Sequence, residues 1–261
     1  MKFIGIGDNC IDCYIQTGEK YAGGNAVNFT VYISELGGEA AYLGVVGNDE
    51  NGMLIINGLN NKGIDTSHIE IASGKTAKTE ITLTNGDRSM ANYQEGVFEF
   101  FTIDRKGLEY IKGHQFVHTA TWGRCDTYLK DLHGNTVISY DFADQHELEK
   151  MKSIAMYIDY AFISYKEDDE YVRNILVKLH QYGSKVAVAT LGQNGSLAYD
   201  GCQFYKYGIE DVNVVDTLGA GDSYIAGFMF GIANRATISD AMKLGAVRAS
   251  KTIQYFGAWH A

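Results

Sequence analysis

The chain has 261 residues with 32 acidic against 22 basic ones, a formal net charge of -10, and no Lys/Arg run long enough to follow a phosphate backbone, so nucleic acid and anionic membranes are poor partners. That length suits one α/β domain over 1–261 around a single sizeable core. No apolar run reaches the roughly 18 residues of a membrane span, and the chain opens on strand-like residues instead of a charged and apolar leader, so a cytoplasmic protein is expected.

Phe3 to Ile6 reads as a first strand. Gly5 and Gly7 do not complete a dinucleotide fingerprint, because the third glycine is missing and Asp8 would oppose a pyrophosphate. Asp8 and Asp12 bracket the end of this strand, the edge where open α/β sheets collect ligands. A carboxylate there can fix two sugar hydroxyls; one of the pair can instead cap a turn, and Asp12 is the preferred ligand residue. Ile11 to Thr17 reads as a further strand, in which Cys10 and Cys13 face opposite ways and suit neither a redox nor a zinc site. Ala22-Gly23-Gly24-Asn25-Ala26-Val27-Asn28 then opens a helix from about Asn25 to Leu36. Asn25 and Asn28 share a face of its first turn, where carboxamides offer donors and acceptors to a polyhydroxylated ligand. The plainer alternative makes Asn25 a cap and Asn28 a solvated surface residue.

Ala40 to Val46 is the next strand, followed by Ala77 to Tyr93, in which Thr79, Ile81 and Leu83 alternate with Lys78, Glu80, Thr82 and Thr84. Together with the earlier helix-free strand this predicts a small, half-exposed antiparallel patch, its strands near 11–20 and 77–95. It is expected to act both as a lid and as a homodimer surface; an apolar outer face would favour the dimer. Strands are predicted at Phe116 to Thr119, Thr136 to Tyr140, Tyr160 to Ser164 and Lys185 to Thr190, with a helix near Tyr171 to His180 that places Val172, Ile175, Leu176 and Leu179 on one stripe. The Asp200-Gly201 turn predicts a hairpin between Ser196 to Tyr199 and Cys202 to Tyr207. Such alternation argues for a mostly parallel sheet with helices on both faces.

The most informative segment comes late: Val212, Val214 and Val215 read as a strand leading into Asp216-Thr217-Leu218-Gly219-Ala220-Gly221-Asp222-Ser223, and Ile225, Phe228, Met229 and Ile232 then mark a buried helical stripe. A helix start directs N–H groups and partial positive charge outward, and glycines there let a phosphate oxygen approach. An acid among anion-binding amides weakens anion binding, so Asp222 suits a proton-transfer role beside the anion; the alternative is a helix cap. No P-loop and no protein-kinase motif set is present. Thr190-Leu191-Gly192-Gln193-Asn194-Gly195 and Glu167 follow strands at the same edge and are the remaining candidates for nucleotide contacts, although turn chemistry also explains the glycines.

AGGNAVN and DTLGAGDSYIAGF resemble the N- and C-terminal signatures of the PfkB, or ribokinase-like, carbohydrate kinases, and the resemblance covers essentially the whole chain. GDNCIDCY, NYQEGV, TLGQNGS and the closing KTIQYFGAW are similar to the branch of that family that phosphorylates fructoselysine. The resemblance implies a three-layer α/β/α Rossmann-like sandwich with a small β-clasp lid, acting with ATP and Mg2+. It makes Asp222 the catalytic base and the amides of Gly219, Ala220, Gly221 and Asp222 an anion hole. Asp12, Gly23, Gly24 and Asn28 would hold sugar hydroxyls, and Thr190, Gly192 and Gly195 would line the ATP site. Glu167 would be the acid of the family's NxxE motif near the metal, although this chain reads Ser164-Tyr165-Lys166-Glu167 and lacks the Asn. Asp141-Phe142-Ala143-Asp144 likewise departs from the family's DPNxR.

The implied reaction is phosphorylation of a primary hydroxyl on a ketose derivative, with fructoselysine preferred. Arg88, Glu95 and Tyr93, beside the predicted lid, are candidates to meet the lysine end, unless Arg88 is a solvated hairpin-tip residue. Alternatives are a kinase for fructose, 2-keto-3-deoxygluconate or another free sugar, a nucleoside kinase, and a non-catalytic sugar- or nucleotide-binding regulator.

Overall fold

The computed structural model describes residues 1–84 and 87–260, without the side chains of 83, 84 and 87–90. The inner strands of its nine-stranded sheet are apolar runs buried on both faces, as a sheet covered by helices requires. In chain order its strands are β1 (Lys2–Ile6), β4 (Glu39–Gly47), β5 (Asp65–Ala72), β8 (Phe116–Ala120), β9 (Val137–Asp141), β10 (Tyr160–Ser164), β11 (Val186–Thr190), β12 (Ser196–Tyr199) and β13 (Phe204–Tyr207). They lie in the order β13-β12-β11-β10-β9-β8-β1-β4-β5. All neighbours from β11 to β5 pair parallel, and β12 and β13 add an antiparallel edge.

Helices α1 (Asn25–Glu35), α2 (Glu50–Asn61), α7 (Ala220–Ala233) and α8 (Ile238–Thr252) share one hydrophobic core with one face of the sheet. Helices α3 (Arg105–Lys112), α4 (Leu129–Leu132), α5 (Leu148–Ala155) and α6 (Glu170–Tyr182) line the core on the other face. The predicted three-layer α/β/α architecture is therefore observed. In α6 the stripe Val172, Ile175, Leu176 and Leu179 is the buried one, as its spacing requires. Helix α7 is buried almost all round instead of along a stripe, because α8 covers the side the sheet leaves open. Glycines permit this: a Cβ on Gly227 would stand 2.6 Å from the Leu244 carbonyl oxygen.

A second sheet of four strands, in the order β3-β2-β6-β7, forms the clasp from β2 (Cys10–Tyr14), β3 (Lys20–Gly23), β6 (Lys78–Thr84) and β7 (Asp87–Gln94). The patch is mixed, not antiparallel, because β2 and β6 run parallel. Its first arm extends to Gly23, beyond the predicted limit near residue 20. One face of β6 carries polar side chains: Lys78 pairs with Glu80 at 3.1 Å, and Asn92 donates to the same carboxylate.

Two further expectations change, and one strand was unforeseen. Val212 to Val215 form no strand, since β13 already ends the sheet; Val214 and Val215 are exposed, and the Val215 N–H bonds the Ile253 carbonyl at the end of α8. The predicted two-residue hairpin turn is a four-residue loop in which the Asp200 carboxylate accepts from the N–H groups of Cys202 and Gln203, so β13 begins at Phe204. Strand β5 escaped notice because this edge strand carries no buried alternation.

Candidate active site

The side chains that matter gather at the C-terminal ends of the parallel strands, around neighbouring β1 and β8, whose continuations lead to opposite sides of the sheet. Gly24, at φ +102, turns the chain from β3 into α1; a Cβ there would lie 2.5 Å from Asn9 Cα. The Asp8 carboxylate caps the helix from across the loop, accepting from the N–H groups of Asn25 (2.6 Å) and Ala26 (3.4 Å). Asn25 is thus the first residue of the helix and not its cap, and Asn28 is buried, not a solvated surface residue.

Gly219, at φ +73, opens α7; a Cβ on it would meet the Tyr32 hydroxyl at 2.5 Å. Asp222 lies in the helix's first turn and makes no capping bond. The Ala220 N–H bonds Thr217 O and the Ser223 N–H bonds Gly219 O. Between them the N–H groups of Gly221 and Asp222 belong to the helix end that lacks intrahelical partners. A Cβ on Gly221 would meet nothing within 4 Å, so packing does not require that glycine. The space beside it is a cradle into which an anion fits.

Asp222 meets α1 across this gap. Its Oδ1 accepts from Asn25 Nδ2 (2.8 Å) and its Oδ2 from Asn28 Nδ2 (2.6 Å). Asn28 Oδ1 in turn accepts from Trp259 Nε1 at 3.0 Å. Asn25 Nδ2 also donates to Asp141 Oδ2 (2.8 Å), and Asn25 Oδ1 lies 2.7 Å from His118 Nε2. With the amide nitrogen committed to two carboxylates, its oxygen can only accept, which puts the His118 proton on Nε2 and leaves Nδ1 to accept from Ser139 Oγ at 2.9 Å. Burial pushes His118 down to about 3, so it is neutral.

Burial likewise drives Asp222 up to about 8, against the donation from Asn28; the charges of Asp141, Asp8 and Asp12 raise it further. A shift of that size represents on the order of 5 kcal/mol of preference for the protonated form. Asp141 is pushed to about 6, again mainly by burial. The site therefore holds a carboxyl group whose proton affinity matches a base working near neutrality.

Asp12 and Gly23 lie together beside this cluster. A Cβ on Gly23 would be 2.3 Å from Asp12 Oδ2 and 3.9 Å from Asn28 Oδ1, so Asp12, Gly23 and Asn28 converge on one wall. The side chain of Arg88 lies outside the described residues. Thr190 ends β11 with its hydroxyl 3.3 Å from that of Ser164 on β10, and Gly192 (φ +56) and Gly195 (φ +85) shape the following turn. Gly195 is demanded by packing, since a Cβ would meet Tyr207 O at 2.1 Å, whereas a Cβ on Gly192 would stand in open space. These residues and the exposed Glu167, which pairs with Lys166 at 3.4 Å, lie farther along the same sheet edge from Asp222. Among the described residues no group of three or more His, Cys, Asp or Glu side chains could hold a metal ion.

Sequence reasoning missed His118, Trp259 and the role of Asp141 in this network, because each reaches it from a separate element. It also missed Tyr14, whose hydroxyl donates to Asp216 and so ties the clasp to the segment before α7.

Residues 1–260 match the pfkB family carbohydrate kinases. The chain is 37% identical over 255 residues to the fructoselysine 6-kinase of Escherichia coli (strain K12), covering 97% of this chain and 98% of that protein. It is 33% identical over 264 residues to the fructosamine kinase FrlD of Bacillus subtilis (strain 168), covering 99% and 93%. Among solved structures, Arabidopsis thaliana ribokinase complexed with ribose and ATP superposes with a TM-score of 0.86 at 19% identity, covering 98% of this chain and 93% of that one. The nucleoside kinase of Methanocaldococcus jannaschii gives 0.80 at 22% identity, covering 98% and 93%.

Proposed function

The chain belongs to the pfkB family of carbohydrate kinases, and from that membership we propose that it transfers the terminal phosphoryl group of ATP to the 6-hydroxyl of fructoselysine. The observation that carries the mechanism is the Asp222 carboxylate, held by two amides at the mouth of α7, with the open cradle on one side and the Asp12, Gly23 and Asn28 wall on the other. Asp12, Gly23, Gly24 and Asn28 bind sugar hydroxyls and present the primary hydroxyl to Asp222. Asp222 takes its proton as attack begins, while the N–H groups of Gly221 and Asp222 receive the charge spread over the phosphoryl oxygens, the Ala220 N–H being already bonded to Thr217 O. Thr190, Gly192 and Gly195 line the nucleotide site, and Glu167 is the residue that would hold Mg2+-bound water there. That ion, when bound, neutralises phosphate charge. The clasp excludes water that would otherwise take the phosphoryl group.

Steady-state rates with fructoselysine, fructose, 2-keto-3-deoxygluconate and adenosine, with and without EDTA, test this reading. Fructoselysine should give the highest kcat/KM and EDTA should abolish turnover; a strong preference for free fructose would sink the assignment. We place the enzyme in the cytoplasm, where its four free cysteines stay reduced, and cell fractionation checks this. Assembly as a homodimer through the clasp would use the edge strand β7.

A further inference from the structure

A charged pair stands at the rim of the sugar site and plays no part in the mechanism above. Arg124 Nη2 lies 2.6 Å from Glu95 Oε2, and both side chains are about two-fifths exposed (42% and 36%) and open to a ligand. Glu95 directly follows β7 of the clasp, and Arg124 lies on the loop after β8, at the ligand-collecting edge of the sheet.

That loop is firmly built. The Thr121 N–H bonds Asp141 O, the Thr121 hydroxyl accepts from Lys150 Nζ at 2.5 Å, and Cys125 Sγ donates to Gly123 O. Gly123 packs on Gly7 so closely that a Cβ on Gly7 would be 2.5 Å from Gly123 O. On this frame Arg124 adopts φ +53, a conformation that costs a non-glycine side chain on the order of 1 kcal/mol. Its guanidinium also lies 6.0 Å from the Phe98 ring centroid, at the outer limit of a cation–π contact, and neither this nor a weak exposed ion pair is a strong reason to keep that strain.

Tyr93 links the pair to the sugar wall. Its proton affinity is raised, first by shielding of the hydroxyl and then by the charges of Cys10, Asp8 and Glu95, and it is lowered by Arg124. Cys10 in turn lies 3.4 Å from Asp12. In the clasp Ile11 pairs with Lys78 and Lys78 with Gln94, which sets Tyr93 and Glu95 two strands across from Cys10 and Asp12.

We propose that Arg124 and Glu95 form the receptor for the α-amino-acid end of the substrate, Arg124 taking the carboxylate and Glu95 the ammonium, with Tyr93 lining the path of the lysine's four-carbon stem. The inference rests on the fructoselysine reading. It assigns the charged contacts to Glu95 and a residue other than Arg88. An ion pair that exists without ligand is a preformed complement to a zwitterion, since each partner exchanges one charged neighbour for another and neither is left bare.

The test compares kcat/KM of the wild type with Arg124→Gln, Arg124→Gly and Glu95→Gln. The substrates are fructose, fructoselysine, the fructose adduct of 6-aminohexanoate, which keeps only the carboxylate, and that of pentane-1,5-diamine, which keeps only the ammonium. Both Arg124 variants should lose about tenfold to a hundredfold more on fructoselysine and the aminohexanoate adduct than on fructose, the range expected for a lost charge-assisted hydrogen bond. Glu95→Gln should show the mirror pattern on the diamine adduct. Arg124→Gly relieves the backbone, so it should melt no lower than the wild type and still lose the preference. Equal losses on every sugar would show a latch that only holds the clasp, and unchanged preferences would show a pair without function; either overturns the proposal. A wild type that does not prefer fructoselysine to fructose overturns the substrate reading itself, and the inference with it.

Discussion

At the scale of single residues, the unusual group is Asp222, because the fold raises its proton affinity from the ordinary 3.8 to about 8 and then sets it against two amide donors. The sign of the consequences follows. In the free enzyme the base is protonated below about 8, so kcat/KM should rise with pH and level off above that value. For stability the folded state keeps a proton that the unfolded chain has released between 3.8 and about 8, so this group lowers stability as pH rises through that window. Asp222→Asn removes that slope, which urea denaturation at several pH values will measure. The same substitution should cut kcat by at least about a hundredfold, the usual contribution of a general base, with ATP affinity by calorimetry little altered. Near-normal turnover would remove Asp222 from the mechanism. Sequence alone singled out Asp222, Asn25 and Asn28. It could not show that the amides hold the carboxylate, because that contact joins residues more than 190 positions apart.

At the scale of the element, α7 does two jobs with the same residue type. Gly221 faces open space at the helix mouth, whereas Gly227 lies against the backbone of α8. The two should therefore respond oppositely to a side chain. Gly221→Ala should fold with stability equal to or up to about 1 kcal/mol above the wild type, since alanine favours a helix. Its methyl group should obstruct the cradle and raise KM for ATP or lower kcat. Gly227→Val should lose about 1–3 kcal/mol or more by overpacking, seen as a lower urea midpoint, with kinetic constants of the folded fraction near normal. The helix itself was legible from Ile225, Phe228 and Met229. Its nearly complete burial was not, because a stripe records one covering surface and α8 supplies a second.

At the scale of the whole molecule, the clasp is attached to the body where the chemistry lies. Tyr14 of β2 bonds Asp216 ahead of α7, and Asp216 also accepts from the N–H groups of Leu218 and Gly257. The clasp and the segment before α7 thus share one carboxylate. Strand β7 is an edge of the clasp sheet, and a dimer through the clasp would pair there. Sedimentation velocity should give twice the 28.8 kDa of one chain if the dimer forms through that edge, and charged or proline substitutions at Gln94 should return it to the monomer. A monomer mass for the wild type at micromolar concentration would withdraw the dimer.

What the sequence determined by itself was local and periodic. Apolar runs marked most of the parallel strands, the 3.6-residue stripe marked α6, and the glycine-rich segments before Asn25 and Asp222 marked the helix mouths, because backbone preference and hydrophobic spacing act between near neighbours. The tertiary structure decided whatever depends on partners distant along the chain. It paired β2 parallel to β6, left Val212 to Val215 without a sheet to join, and gave Asp8 to the cap of α1 while bringing Asp12 against Gly23. It also set His118, Asp141 and Trp259 around two asparagines. The proton affinity of Asp222 belongs to this second group, since it arises from burial and from carboxylates that only the closed fold brings near.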